Sequence, residues 1–144
     1  MPRTVTNQAA LGASYAGPIN AIYSYAEATP VLQETGGSLV VSDTELDVYI
    51  RNAPVSVFEP RVVFIDLDGM VALDNLAVRV YYRIYDGGGW LLYDYANYIG
   101  ADGGLANGVK LIAVEMLPCR FGVRVTLQMS VGSAEFPWSA VEEA

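Results

Sequence analysis

The stretch from Leu76 to Ile99 is the feature of this sequence that most restricts the fold. Residues 76–85 and 90–99 are rich in β-branched and aromatic side chains, and they flank an Asp-Gly-Gly-Gly turn at 86–89. Two such runs around a glycine turn are typical of an antiparallel β-hairpin. Because strand side chains alternate between two faces, the first run has one apolar face. That face carries Leu76, Val78, Val80, Tyr82 and Ile84.

The predicted hairpin register pairs Tyr85 with Trp90 across a four-residue turn. The pairs that follow from it are Tyr82–Tyr93, Val80–Tyr95, Ile84–Leu91 and Tyr81–Asp94. The second face of the first strand is either a solvated sheet face or a contact surface, since exposed Tyr, Trp and Arg dominate interface energetics. The candidate interface residues here are Arg79, Tyr81, Arg83, Tyr85 and Trp90.

Strand patterns continue through the chain from Ser38 onwards. Short apolar or alternating runs are separated by turn residues at spacings of about 8–12 residues. This pattern predicts a single all-β domain built as an antiparallel β-sandwich, jelly roll or closed barrel. No segment keeps a helical period over three turns. The strands predicted outside the hairpin are residues 39–41, 46–51, 55–58, 61–67, 109–117, 121–131 and 136–141.

Residues 1–35 differ from the rest and are predicted to form an extended N-terminal arm, with the β domain spanning 36–144. The first twenty residues are small and polar, with one charged side chain, Arg3. The end of this region, residues 27–34, is expected to be irregular. We expect the arm to gain order by lying across a neighbouring subunit. Its candidate contact residues are Leu11, Tyr15, Ile19 and Tyr23.

Composition removes several classes of function. The chain has 144 residues, which fits one domain, and a formal charge of −8 with one lysine. Such an acidic surface repels phosphate backbones, so no nucleic-acid partner is expected. No apolar run reaches the ~20 residues of a membrane helix, so no membrane association is expected. The start shows no basic segment followed by an apolar one, and we expect cytoplasmic synthesis.

The residue types used for catalysis are also scarce. There is no histidine, which removes Ser-His-Asp and Cys-His catalysis and the usual zinc sites. Cys119 is the single cysteine, so no intrachain disulfide can form, and it is predicted to be a packed or turn residue. We therefore expect no enzyme activity, no catalytic residue, no metal and no cofactor, although carboxylate or metal chemistry stays open.

The run from Val62 to Asp68-Gly69 ends an apolar strand in Asp-x-Asp-Gly. It resembles the first motif of the haloacid-dehalogenase phosphatases, which implies Asp66 as nucleophile and Asp68 as acid/base around Mg²⁺. The rest of the chain departs from that family, because Met70 replaces the usual threonine and a strand follows where the family has a helix. The alternative is a β-turn whose aspartates cap backbone amides.

Three further patterns bear on ligand binding. Several turn aspartates could bind Ca²⁺ through oxygen-rich loops, but no Asp-x-Asp-x-Asp-Gly loop is present. The glycine-rich segments 87–89 and 100–108 lack a Gly-Lys-Ser/Thr sequence and are predicted to be loops, not phosphate cradles. A row of aromatic side chains could stack on sugar rings. The aspartates are Asp66, Asp68, Asp74, Asp86, Asp94 and Asp102, and the aromatic residues are Tyr81, Tyr85, Trp90, Tyr93, Tyr95 and Tyr98.

In overall plan, with an arm at 1–35 and a β domain at 36–144, the chain resembles the small head-decoration (cement) proteins of tailed bacteriophages. Those proteins are β-sandwich or β-tulip domains, often trimers, with N-terminal arms that clasp the capsid shell. The resemblance implies a virion protein, assembled in the host cytoplasm, that contacts the major capsid protein or other assembly subunits. It implies a homo-oligomer, a trimer in particular, without catalysis. A tail, neck or filament β subunit and a carbohydrate-binding β-sandwich module are the alternatives.

Overall fold

The computed structural model describes residues 31–144, which form nine β-strands. This confirms the predicted all-β class and the sandwich architecture. No helix that could cross a membrane occurs between residues 31 and 144. The strands are β1 Leu32–Val41, β2 Leu46–Asn52, β3 Pro60–Asp66, β4 Asn75–Tyr82, β5 Leu91–Ala101, β6 Gly104–Leu105, β7 Leu111–Glu115, β8 Gly122–Val131 and β9 Ala134–Glu143.

The strands form two antiparallel sheets. The first sheet has the order β1-β9-β3-β7, and the second has the order β2-β8-β4-β5-β6. Consecutive strands alternate between the two sheets, with one exception: β4 and β5 are neighbours in the second sheet. The two-residue β6 is left out of this comparison. This is the eight-strand order of a jelly roll. Within the described chain, β1 and β7 are therefore the edge strands of the first sheet.

The core lies between the sheets and is built from side chains at alternate strand positions. In β8 the sequence alternates Val123, Val125, Leu127 and Met129 with Arg124, Thr126, Gln128 and Ser130. The four apolar side chains are fully buried as this pattern predicts, but Thr126 of the other set is fully buried as well. Fully burying one such aliphatic side chain contributes about 1.5–3 kcal/mol. The central core residues are Val63, Ile65, Leu76, Val78, Val80, Val123, Val125, Leu127, Met129 and Phe136.

Strand β1 begins earlier than the sequence predicts. It starts at Leu32, so residues 32–34, expected to be irregular, and the predicted boundary at 35/36 lie inside a strand. The cause is pairing with β9, which runs from Leu32–Glu143 to Val41–Ala134. Gly36 permits this close approach, because a Cβ there would lie 2.7 Å from the carbonyl oxygen of Trp138. Gly36, one of the two glycines that end the segment expected to be irregular, is thus required by the neighbouring strand.

Two other strand predictions are wrong in detail. Residues 55–58 form no strand, and only Phe58 makes an isolated bridge, to Cys119. The predicted hairpin register is also wrong, because Val80 pairs with Asp94 and Tyr82 pairs with Leu91. A register shift after Val80 takes up an extra residue, and residues 83–90 form a longer loop than the four predicted.

Candidate interaction surface at the β5 edge

Strand β5 presents an apolar edge. Along Leu91–Ile99 it pairs only with β4, and β6 meets it only at Gly100 and Ala101. Among residues 31–144, then, nine consecutive positions of β5 have no strand partner on the side away from β4. Long exposed edges of this kind are normally covered or charged in soluble β proteins. We define the β5 edge surface as the large apolar side chains that are 49–59% exposed on this strand: Leu91, Leu92, Tyr93, Tyr95 and Ile99.

A groove of about 270 Å³ lies beside this surface, between β5 of one sheet and β7 of the other. Both strands are edges, since β7 pairs only with β3 within the described chain. The core side chains Val78 and Val80 contribute to its lining at the base of the groove, although they are only 4% and 3% exposed. We call this the β5–β7 groove. Its remaining lining residues are Asp94, Ala96, Tyr98, Ala113, Val114 and Glu115.

The charge in the groove is entirely negative. Asp94 and Glu115 are its two ionisable lining residues, one from each sheet, and both are exposed. The Asp94 carboxylate accepts a hydrogen bond from the backbone N–H of Tyr95 at 2.9 Å. No lysine or arginine lines the groove. An occupant must therefore fit an apolar floor without bringing further negative charge between these carboxylates.

Tyr82 links the two sheets just beyond one end of the groove. Its ring packs edge-on against Tyr93, with centroids 5.3 Å apart, so this predicted aromatic contact forms even though the register differs. Its hydroxyl accepts a hydrogen bond of 2.7 Å from the backbone N–H of Leu117, which follows β7. Burial raises the pKa of Tyr82, so its hydroxyl stays neutral at physiological pH. This contact fixes the spacing between β5 and the end of β7.

The predicted interface residues Arg79 and Tyr81 lie on the outer face of the five-stranded sheet. Both are half-buried in a network around Glu45. The Glu45 carboxylate accepts hydrogen bonds of 2.5 Å from Tyr81 and from Thr126, and Arg79 lies 3.9 Å away. Burial would raise the pKa of Glu45, but these hydrogen bonds and the nearby guanidinium groups outweigh it and lower that pKa.

The other predicted interface residues lie in the loop 83–90. The Arg83 guanidinium stacks 3.9 Å from the Trp90 ring centroid and donates to the side-chain oxygen of Asn52. Tyr85 is 60% exposed at the loop tip. The structure thus distributes the predicted residues between the sheet face and the loop. The arm candidates Leu11, Tyr15, Ile19 and Tyr23 lie outside the described residues.

The aliphatic part of the β5 edge surface, Leu91, Leu92 and Ile99, is absent from the predicted interface residues. The available signal was that apolar residues occupy both alternating positions of this run, whereas a strand covered on one face shows one apolar side. That pattern also fits a strand buried on both faces. Only the position of β5 at the sheet edge shows that these side chains are exposed.

The aspartates form turns and ion pairs in the described structure. Asp66 accepts the backbone N–H of Asp68 at 2.8 Å, as expected for a turn aspartate, and Asp68 lies 3.7 Å from exposed Lys110. The next strand is β4, where a phosphatase of the family considered above has a helix. Asp74 is buried and accepts the backbone N–H of Val71 at 2.9 Å. Within residues 31–144, no three acidic or cysteine side chains converge on a metal-sized site.

The aromatic side chains considered as a sugar-binding row do not share one face. Tyr98 packs against the core and Tyr93 against Tyr82, while Tyr81 is bonded to Glu45 on the outer face. Cys119 is buried, as predicted, and burial raises the pKa of its thiol, which lowers its reactivity.

Comparisons with known proteins found similar folds only at low similarity. No protein-family model matches the chain, and no curated protein matches it at a significant level. A mitogen from Yersinia pseudotuberculosis is 10% identical, with a TM-score of 0.45 and 78% of this chain and 86% of that chain covered. A subunit of the disulfide-linked pili of Bacillus endospore appendages is 13% identical, with a TM-score of 0.43 and coverages of 81% and 91%.

The infectious bursal disease virus VP2 subviral particle is 10% identical to this chain, with a TM-score of 0.46. The match covers 79% of this chain but spans only 32% of the viral chain. All three TM-scores are below 0.5.

Proposed function

We propose that this protein is a structural subunit of a large assembly and, more narrowly, a decoration or cement subunit that stabilises a virion shell through protein–protein contacts. Its partners would be the major capsid protein or other assembly subunits, together with its own copies in a trimer. The β5 edge surface is the observation that carries this proposal. Within residues 31–144, nine consecutive positions of β5 have no strand partner on one side and display large apolar side chains, from which a β domain acting alone gains nothing.

The chemistry of the described surface favours adhesion over catalysis. The functional features that stand out on it are exposed Leu, Ile and Tyr side chains along an open sheet edge. Backbone groups at such an edge supply affinity by pairing with another strand, and the alternate side chains supply specificity. In the proposed assembly, Leu11, Tyr15, Ile19 and Tyr23 of the arm contribute to the contact with a neighbouring subunit.

Charge sets a condition on assembly. Each copy carries a formal charge of −8, so copies repel one another at long range. Salt screens that repulsion over about 8–10 Å at physiological ionic strength, but it leaves apolar burial in place. We therefore expect self-association to strengthen as salt rises from about 10 to about 150 mM.

The test is the mass of the full-length protein in solution, measured by light scattering or sedimentation over a range of concentrations. We expect an oligomer, and we expect the double substitution Leu92→Lys with Tyr95→Lys to dissociate it. The matched control is Val40→Lys, which changes a side chain that is 66% exposed on β1, in the other sheet. A full-length protein that stays monomeric at every concentration and salt would contradict the proposal. Open filaments would favour a tail, neck or filament subunit instead.

A further inference from the structure

The β5–β7 groove is bordered on both sides by strand edges, as a place for one more strand would be. The two sheets of a sandwich pack about 10 Å apart, and a strand occupies about 4.8 Å beside its neighbour. On this flank the edges of both sheets, β5 over Leu91–Ile99 and β7 over Leu111–Glu115, lack a partner within the described chain. An added strand would gain backbone hydrogen bonds from β5 and an apolar floor formed by Val78 and Val80.

We propose that this groove binds an extended strand formed by residues 19–25 of a second copy, paired along the free edge of β5. The inference rests on the proposed assembly function and specifies where one subunit holds the next. It is a strand-addition contact, in which main-chain pairing provides affinity and alternate side chains fill the groove.

The groove suits a strand better than a small molecule. At about 270 Å³ the groove is smaller than the roughly 300–1,000 Å³ of typical ligand pockets, and it can take the inward side chains of an added strand whose backbone lies outside it, along the β5 edge. Its polar side chains are two carboxylates at the rim, Asp94 and Glu115, which do not converge on a common point inside an enclosed site. An open flank between two strand edges is instead the setting in which β-augmentation occurs.

The sequence of the proposed occupant fits this geometry. Every odd position from Ile19 to Tyr25 is apolar or aromatic, and the even positions include Asn20 and Ser24. A strand with this period would point the odd side chains into the groove. Pro18 and Pro30 bound the segment, and no proline lies between them, so every residue of the strand can donate its backbone N–H.

The charge of residues 1–30 and the point where the chain enters the β domain both support residues 19–25 of a second copy as the occupant. Arg3 and Glu27 are the charged side chains among residues 1–30, so the formal charge of −8 belongs to residues 31–144. A strand without acidic residues can approach Asp94 and Glu115, whereas any acidic edge of a second copy is repelled. The chain enters the β domain at Leu32 on β1, the sheet edge opposite β7. We therefore assign the occupant to a second copy.

The test uses two full-length chains with different tags, one carrying Tyr23→Cys and the other Ala96→Cys. Ala96 lines the groove, and the native Cys119 is buried, so the unsubstituted chain serves as the background control. Under mild oxidation we expect a disulfide joining the two tags. Asn97→Cys is the matched control, since the neighbouring strand position faces away from the groove and should cross-link much less.

A second variant checks the groove without a cross-link. Ala96→Trp should fill the groove and weaken self-association at least about tenfold, while Asn97→Trp should not. Assembly that persists without a cross-link between positions 23 and 96 overturns this inference and leaves the proposed function standing. A further variant carries both Tyr23→Cys and Ala96→Cys in one chain. A cross-link that forms within that chain but never between the two tags overturns the inference as well. A protein that never self-associates overturns both proposals, and a cross-link between tags supports both.

Discussion

The long edge strands β1 and β5 are similar in length and opposite in chemistry. Strand β1 carries polar side chains and glycines over most of its length, and several are bonded within the same domain: Gln33 donates to Glu142 at 3.0 Å and Ser38 donates to Glu135 at 2.7 Å. Strand β5 carries large apolar side chains that stay about half exposed, even where Tyr93 packs against Tyr82 and Arg79 lies over the Tyr95 ring. An edge whose side chains are bonded internally serves the fold, whereas an apolar edge left open is available to a partner.

Substitution of Phe136, which lies beside β1, is expected to cause the greatest loss of stability. Phe136 is fully buried and pairs with Leu39 of β1. Phe136→Ala should lower the free energy of unfolding by about 3–5 kcal/mol through lost burial and a residual cavity. Denaturant unfolding measures this, with Tyr95→Ala on β5 as the control that should change stability by less than about 0.5 kcal/mol. Comparable losses for the two variants would remove the distinction between the edges.

A moderate loss of stability is expected when the buried hydrogen bond between Tyr49 and Glu142 is removed. The Tyr49 hydroxyl donates to Glu142 at 2.5 Å, and the same carboxylate accepts from Gln33 of β1. Tyr49→Phe should cost about 1–2 kcal/mol, because the buried carboxylate loses a donor. Chemical unfolding at about pH 7 measures the loss, and an unchanged stability would show that this contact does not hold β1, β2 and β9 together.

The same tyrosine gives a pH dependence. Burial and the hydrogen bond to Glu142 raise the pKa of Tyr49 above its ordinary value. A raised folded-state pKa contributes stability that is fully present below the unfolded tyrosine pKa of about 10 and is lost as pH rises above it. The wild type should therefore lose stability more steeply between about pH 9 and 11 than Tyr49→Phe does. Parallel pH profiles for the two proteins would contradict this expectation.

A substitution on the exposed edge of β5 is expected to change stability least. Leu92 is exposed at the free edge, so Leu92→Ser should leave the free energy of unfolding within about 0.5 kcal/mol of wild type. Ser38→Ala on β1 removes only an exposed hydrogen bond and is the matched control. Both variants are to be unfolded at a protein concentration where the chain is monomeric. A loss above about 1.5 kcal/mol for Leu92→Ser would show that β5 stabilises its own domain.

Local sequence patterns predicted which segments form strands better than they predicted how those strands pair. Alternation identified the buried side of β4 and β8, and turn residues identified most strand ends. In β2 the sequence alternates Leu46, Val48 and Ile50 with Asp47, Tyr49 and Arg51, but a bulge after Asp47 buries Tyr49 and leaves Ile50 exposed. An extra residue in one strand reverses the faces beyond it, and such an insertion is defined by the partner strand.

The amino-acid sequence alone predicted the all-β domain that residues 31–144 form and the buried side chains of its clearest strands, and it shows that the chain contains no histidine. These are properties of composition and of a two-residue period, and both can be seen in short stretches of chain. The three-dimensional structure was needed to show that β5 and β7 are edges that face one another across a groove. Edge position depends on pairings such as Leu32 with Glu143, between residues far apart in sequence, and no local pattern encodes them.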